Sequence, residues 1–116
     1  MESKQEAMNG IDPNKAIEYI IDNAPKFAEA KAQRVFIENY LKVKKAEIIT
    51  KSNESSVSKA EQYALAHPDY KQLLEGLKVA VMQEEHLKWW LEAARLRVEV
   101  WRTNEASSRN QDKATR

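Results

Sequence analysis

The side chains of this chain that could carry out chemistry do not assemble into a catalytic or metal site by their spacing. His67 and His86 are its only histidines, and position 83 is Gln, so the Glu-x-x-His pair of helical di-iron proteins is missing. The glutamates mostly have a basic residue at helical spacing, which is typical of solvated ion pairs. Cysteine is absent and glycine occurs twice, which excludes thiol nucleophiles and disfavours a phosphate-binding loop. We therefore predict no catalytic residues, no metal and no cofactor, and a protein that is not an enzyme.

Three tryptophans are the first candidate for binding chemistry. Trp89 and Trp90 are adjacent, and Trp101 follows further along the same predicted helix. Structural packing is the more ordinary interpretation, because tryptophan is costly to expose. The functional interpretation is an anchor for a protein partner, since tryptophan is enriched in interface hot spots.

A ladder of basic residues is the second candidate. Lys88, Arg95 and Arg102 are seven residues apart, and Arg97 and Arg109 lie nearby. This rhythm could follow phosphates along a nucleic acid. Glutamates three residues before each member of the ladder favour instead a solvated flank of a coiled coil.

Both candidates lie on one predicted helix, from about residue 68 to 104 or beyond, that has two apolar rows. The first row is spaced 3-4-3-4 with a polar break at Glu84: Tyr70, Leu73, Leu77, Ala80, Glu84, Leu87, Leu91, Ala94, Val98 and Trp101. The second row has the same spacing on a different side: Val79, Met82, His86, Trp89, Ala93, Leu96 and Val100. A surface helix needs one apolar face toward a core. A helix with two must be covered from both sides, which predicts assembly.

The upstream part of the chain predicts helices that could cover the first row. Asp12-Pro13 is typical of a helix start, and Pro25 predicts a break or kink near residue 24. A second helix is expected to run to about Lys51, with the upstream row Phe27, Ala30, Arg34, Ile37, Leu41, Lys44 and Ile48. Arg34 and Lys44 interrupt this row, and we expect their stems to pack while their heads reach water.

The turn signals lie between residues 50 and 68. Residues 50–56 form the clearest loop. Ser58 with Glu61 has capping-box spacing and predicts a short helix that ends at His67-Pro68. We expect His67 to cap or terminate that helix.

Composition and charge place few further limits on function. Charged residues make up 32% of the chain and the formal net charge is +1, so no global attraction to nucleic acid or acidic membranes is expected. Neither a signal peptide nor a stretch of about 20 apolar residues is seen. The expectation is a cytoplasmic protein without membrane contact. Its predicted organisation is a flexible arm at 1–11, one helical domain at 12–104 and a polar tail at 105–116 that either extends the helix or is disordered.

Several segments resemble a group of small, all-helical proteins encoded by bacteriophages and prophages. They are Asn23–Arg34, Tyr70–Leu77 and Leu87–Arg109, which includes the polar stretch Arg-Thr-Asn-Glu-Ala-Ser-Ser-Arg at 102–109. Genes of this group are often found among recombination and replication genes. The resemblance implies a phage accessory protein in a bacterial cytoplasm, and it assigns neither an activity nor functional residues.

These observations predict an all-α helical hairpin with a long C-terminal helix. Two copies are expected to assemble into an antiparallel coiled coil or four-helix bundle. The expected partner or oligomer interface consists of Val79, Met82, His86, Trp89, Trp90, Leu96, Val100 and Trp101. The leading functional hypothesis is an adaptor or modulator of phage or host DNA recombination or replication proteins. The alternatives are a direct nucleic-acid binder that uses the basic ladder, and an inhibitor of a host defence or repair enzyme.

Overall fold

The computed structural model describes residues 12–114 of the chain, and within them it is all-α, as predicted. Three helices follow one another: α1 (Pro13–Lys51), α2 (Val57–Ala66) and α3 (Pro68–Ala114). The long C-terminal helix is confirmed, at 47 residues. Among these residues, no helix is long and apolar enough to cross a bilayer. The arm expected at 1–11 lies outside the described residues.

Helix α1 runs without interruption through Pro25, so the break predicted near residue 24 is wrong. A proline inside a helix removes one backbone hydrogen bond and costs about 3 kcal/mol, but it does not by itself end the helix. The residues around Pro25 offset this cost in free energy. They include alanine, lysine and glutamate, which favour helix, and apolar residues on both sides of Pro25 that become partly buried. Packing and propensity together thus outweigh the local cost.

The connection between α1 and α3 matches the expected loop and differs in one cap. Ser56, and not Ser58, is the N-cap of α2, and its hydroxyl accepts a hydrogen bond from the Lys59 backbone N–H at 3.2 Å. Ser58 therefore lies within the first turn, and the predicted capping box is wrong by two residues.

His67 separates α2 from α3, as predicted. Its backbone is extended, and its N–H donates to the carbonyl oxygen of Ala64 at 3.2 Å. Its Nδ1 accepts a hydrogen bond from the backbone N–H of Asp69 at 3.1 Å, at the start of α3. One histidine therefore ends one helix and caps the next, while Pro68 opens α3 at a position where no N–H is needed.

The chain divides into two compact units. The hairpin unit is Phe27–His86, and the other, here called the terminal unit, is Met1–Lys26 with Leu87–Arg116, of which residues 12–26 and 87–114 are described. In the hairpin unit, α1 and α3 are antiparallel, since Arg34 meets Glu84 while Ile48 and Asp69 line the same cleft. All seven residues of the upstream row are buried or half-buried there, and so are the first-row residues of α3 from Tyr70 to Glu84.

In the terminal unit, small residues are the most buried ones. Ala16 of α1 and Ala94 of α3 are nearly inaccessible, and Leu87, Leu91 and Val98 are half-buried. Helix α3 then continues through the polar segment to Ala114, and every residue from Glu99 to Ala114 is exposed. The polar segment thus extends the helix as far as the structure describes it.

Candidate interaction surface

The two apolar rows of α3 lie on opposite sides of the helix. Each residue of the second row follows a first-row residue by two positions, for example Val79 after Leu77 and Trp89 after Leu87. At 3.6 residues per turn, a step of two residues turns the side chain by about 200°. A neighbouring helix that covers the first row therefore leaves the second row uncovered.

Burial of the side chains agrees with this geometry. From Tyr70 to Val98 every first-row residue is buried or half-buried, whereas every second-row residue is exposed. In the hairpin unit, Val79 and Met82 are 58% and 63% exposed, and in the terminal unit Trp89 is 62% exposed and Leu96 and Val100 are 47% exposed. Exposed apolar residues that recur regularly, rather than singly, mark an interaction surface.

The chain covers the three tryptophans only in part. Trp90 is roughly half exposed and Trp101 is exposed at the end of the first row. The Lys88 ammonium lies 5.7 Å from the centre of the Trp89 ring, a cation–π contact that leaves most of the indole in water. His86 is exposed as well. The interpretation of the tryptophans as packing within one chain therefore does not hold for Trp89.

The polar break of the first row proved to be one half of an ion pair. The Arg34 guanidinium holds the Glu84 carboxylate through two nitrogens: Nε donates to Oε2, and Nη2 donates to Oε1 at 3.2 Å. Nη1 also donates to Glu38 at 2.9 Å. Glu84 is only 8% exposed, and the hydrogen bonds with Glu84 raise the pKa of Arg34 further above its usual value.

The Arg34 side chain is half-buried, so its head still reaches water in part, but the pairing with Glu84 was not expected. The sequence held a signal for this pair. The upstream row is interrupted by two basic residues, Arg34 and Lys44, and the first row of α3 by one acidic residue, Glu84. Since a lone buried charge is costly, two such interruptions are expected to meet. Lys44 behaves more as predicted: its ammonium contacts Glu47 at 3.3 Å on the same helix, which raises its pKa.

The basic ladder is partly neutralised by its own helix. Arg95 donates to Glu92 at 2.5 Å and to Glu99 at 2.8 Å, and the bond with Glu92 raises the pKa of Arg95. The same bond lowers the pKa of Glu92. Arg97, Arg102 and Arg109 are exposed. The central member of the ladder is thus engaged by two carboxylates, which weakens the case for a surface that tracks phosphates.

One cleft of the hairpin unit is smaller than a usual ligand site. A cleft of about 110 Å³ in the hairpin unit is lined by Lys44, Glu47, Tyr63, His67 and Asp69, with Ile48 and Lys51. Ligand sites in proteins usually measure about 300–1,000 Å³. Across residues 12–114 no three histidine or carboxylate side chains cluster as metal ligands.

Comparison with known proteins adds no assignment. No family model matches the chain, and neither do the curated proteins or the solved structures. The surface defined by the second row is therefore the main structural feature that bears on function.

Proposed function

We propose that two copies of the chain pair through the second row, and that the pair is a non-enzymatic adaptor or modulator of DNA recombination or replication proteins. The setting is the bacterial cytoplasm during phage infection. The phage setting and the class of client rest on the resemblance of three chain segments to phage-encoded helical proteins.

One observation carries the pairing step. The second row is as regular as the first, yet it stays exposed while the first is covered within the chain. Trp89, at 62% exposed, alone presents on the order of 100 Å² of surface that a partner could remove from water. A second copy supplies an identical row of the same length, so the exposed apolar residues find an apolar surface to cover them.

The adaptor role requires a surface that pairing leaves available. Trp101 lies outside the second row and its flanks, and Trp90 lies at the edge of the row; both are exposed, and the helical segment after them is polar and exposed as far as Ala114. Aromatic anchors beside a polar rim are the usual composition of a protein-binding hot spot. A dimer carries this surface twice, which raises its avidity for a client that is itself repeated along DNA.

A pull-down from phage-infected bacteria tests the proposal. Tagged wild-type protein, Trp90→Ala and the control Leu74→Ala are compared, each with and without nuclease treatment of the lysate. Leu74 is an exposed residue of the same helix that belongs to neither row.

We expect DNA-processing proteins to be retained by the wild type and by Leu74→Ala after nuclease treatment, and to be lost with Trp90→Ala. Recovery of nucleic acid, with proteins lost after nuclease, would replace the adaptor by a direct nucleic-acid binder that uses Arg97, Arg102 and Arg109. Retention of the same proteins by Trp90→Ala would contradict the assigned client surface.

A further inference from the structure

We infer that the two copies pair in parallel and in register through the second row of α3. This inference rests on the proposed pairing and names its geometry. It differs from the antiparallel assembly expected from the sequence pattern alone. Two features support this geometry: the order of residue types within the second row, and the charges on its two flanks.

The second row repeats every seven residues in two lines, like the a and d lines of a coiled coil. The line equivalent to a holds Val79, His86, Ala93 and Val100, and the line three residues later holds Met82, Trp89 and Leu96. In parallel pairs the a and d side chains sit in different packing environments. Within parallel coiled coils, valine on the a line with leucine on the d line favours two strands over three or four. The second row has this order at Val100 and Leu96, with methionine in the place of leucine beside Val79.

His86 adds a reason for exact alignment of the two copies. In a parallel, in-register pair each residue of the a line faces its own counterpart, so His86 would face His86 of the second copy. A single polar residue on an a line specifies register, because any shift sets it against an apolar side chain. His86 is the single polar member of the second row and is exposed in the chain.

The flanks of the row differ in charge. One flank is mainly acidic, at positions 78, 85, 92 and 99: Lys78, Glu85, Glu92 and Glu99. The other flank, at positions 83, 90, 97 and 104, has no acid: Gln83, Trp90, Arg97 and Asn104. Antiparallel pairing sets each flank against its own copy, so that the three glutamates of the acidic flank oppose one another or Lys78. Parallel pairing sets opposite flanks together.

The parallel arrangement also creates a favourable contact. Residues five positions apart on the two flanks face each other in parallel coiled coils, which sets Glu92 near Arg97 of the second copy. Glu92 already binds Arg95 at 2.5 Å, and a carboxylate has room to accept from both guanidinium groups. Like charges across an interface suppress the wrong arrangement more than opposite charges strengthen the right one. Arg95 holds Glu92 and Glu99 within the chain, which weakens this repulsion, so the Glu92–Arg97 contact and the acidic flank select the direction together.

Disulfide trapping distinguishes the two directions, and the chain suits it because it contains no cysteine. Val79→Cys and Val100→Cys place thiols twenty-one residues apart on α3, on the same line of the row. A disulfide forms where Cα atoms are about 4.4–6.8 Å apart. Each full-length variant is oxidised in glutathione buffer, alone and after mixing with the other, one variant carrying a tag so that mixed dimers separate on a non-reducing gel.

The parallel, in-register pair predicts that each variant cross-links with itself and that mixing yields no tagged–untagged species between the two different variants. Leu74→Cys, an exposed off-row position on α3, is the control and should stay monomeric on the gel. A cross-link found only in the mixture would establish the antiparallel pair and overturn the inference. So would a dimer in which neither variant cross-links alone. If the variants and the wild type sediment as monomers, the proposed pairing itself is wrong.

Discussion

Substituting Leu96 by glutamate should separate the two copies without unfolding either one. Leu96 lies in the middle of the exposed part of the second row in the terminal unit, and 47% of its surface is accessible. A charge at this position stays in water when the chain is alone, so the fold tolerates it. In the pair the same charge would be covered by the second copy.

The magnitude follows from the exposed fraction. Burying a whole leucine side chain contributes about 1.5–3 kcal/mol, so covering the exposed half contributes roughly 1 kcal/mol per copy, or 2 kcal/mol per pair. Two carboxylates brought within about 4 Å near a protein surface add up to several kcal/mol of repulsion. Since about 1.4 kcal/mol is a tenfold change, the dissociation constant should rise at least a hundredfold. Trp89→Ala should act in the same direction, because its larger ring contributes more covered area.

Sedimentation velocity over a concentration series measures this shift. Leu74→Glu is the matched control, since Leu74 is 43% exposed on the same helix and lies off the second row. We expect the control to change the dissociation constant less than about threefold, because an isolated surface substitution is worth about 0.5 kcal/mol or less. Helix content by circular dichroism should be the same in both variants. Equal dissociation constants for Leu96→Glu and the wild type would refute the assignment of the second row.

Three further predictions concern the fold. Glu84→Leu should lower the urea midpoint of unfolding, because it leaves Arg34 without its buried carboxylate. The double variant Glu84→Leu with Arg34→Leu should restore this midpoint to at least the wild-type value. A double variant with a lower midpoint than either single variant would contradict this. Pro25→Ala should raise the free energy of unfolding by up to about 3 kcal/mol, because α1 continues through this exposed position, and a loss of stability would show that the proline shapes the helix. Gly76→Ala should raise the free energy of unfolding by about 0.5–1 kcal/mol, because alanine favours helix and its Cβ meets nothing within 4 Å. An unchanged melting curve would contradict this gain in stability.

The regular spacing of apolar residues was enough to predict most of the fold. The 3-4 spacing in both long segments predicted the helices and the face that each one buries, because side chains spaced this way must share one side of a helix. The stop at His67-Pro68 was predictable too, since proline disfavours helix at the residue before it. These features can be predicted from the sequence because they depend on interactions between residues that are close together in the chain.

Other features depended on contacts between segments distant in the sequence. Pro25 carries the same local signal as Pro68, and only the packing on both sides of Pro25 explains why α1 continues. The ion pair of Arg34 with Glu84 joins residues fifty positions apart, so it required the relative alignment of two helices. The sequence revealed that α3 has two rows, but which of them the chain covers was settled by the burial of Ala80 and Glu84 and the exposure of Met82.

The central claim is that the second row is covered by a second copy of the chain. Sedimentation equilibrium of the wild-type protein at micromolar concentration tests it most directly. Pairing of two copies predicts a mass of twice the 13.4 kDa of the single chain. A mass of 13.4 kDa at every concentration, with helix content intact, would contradict it.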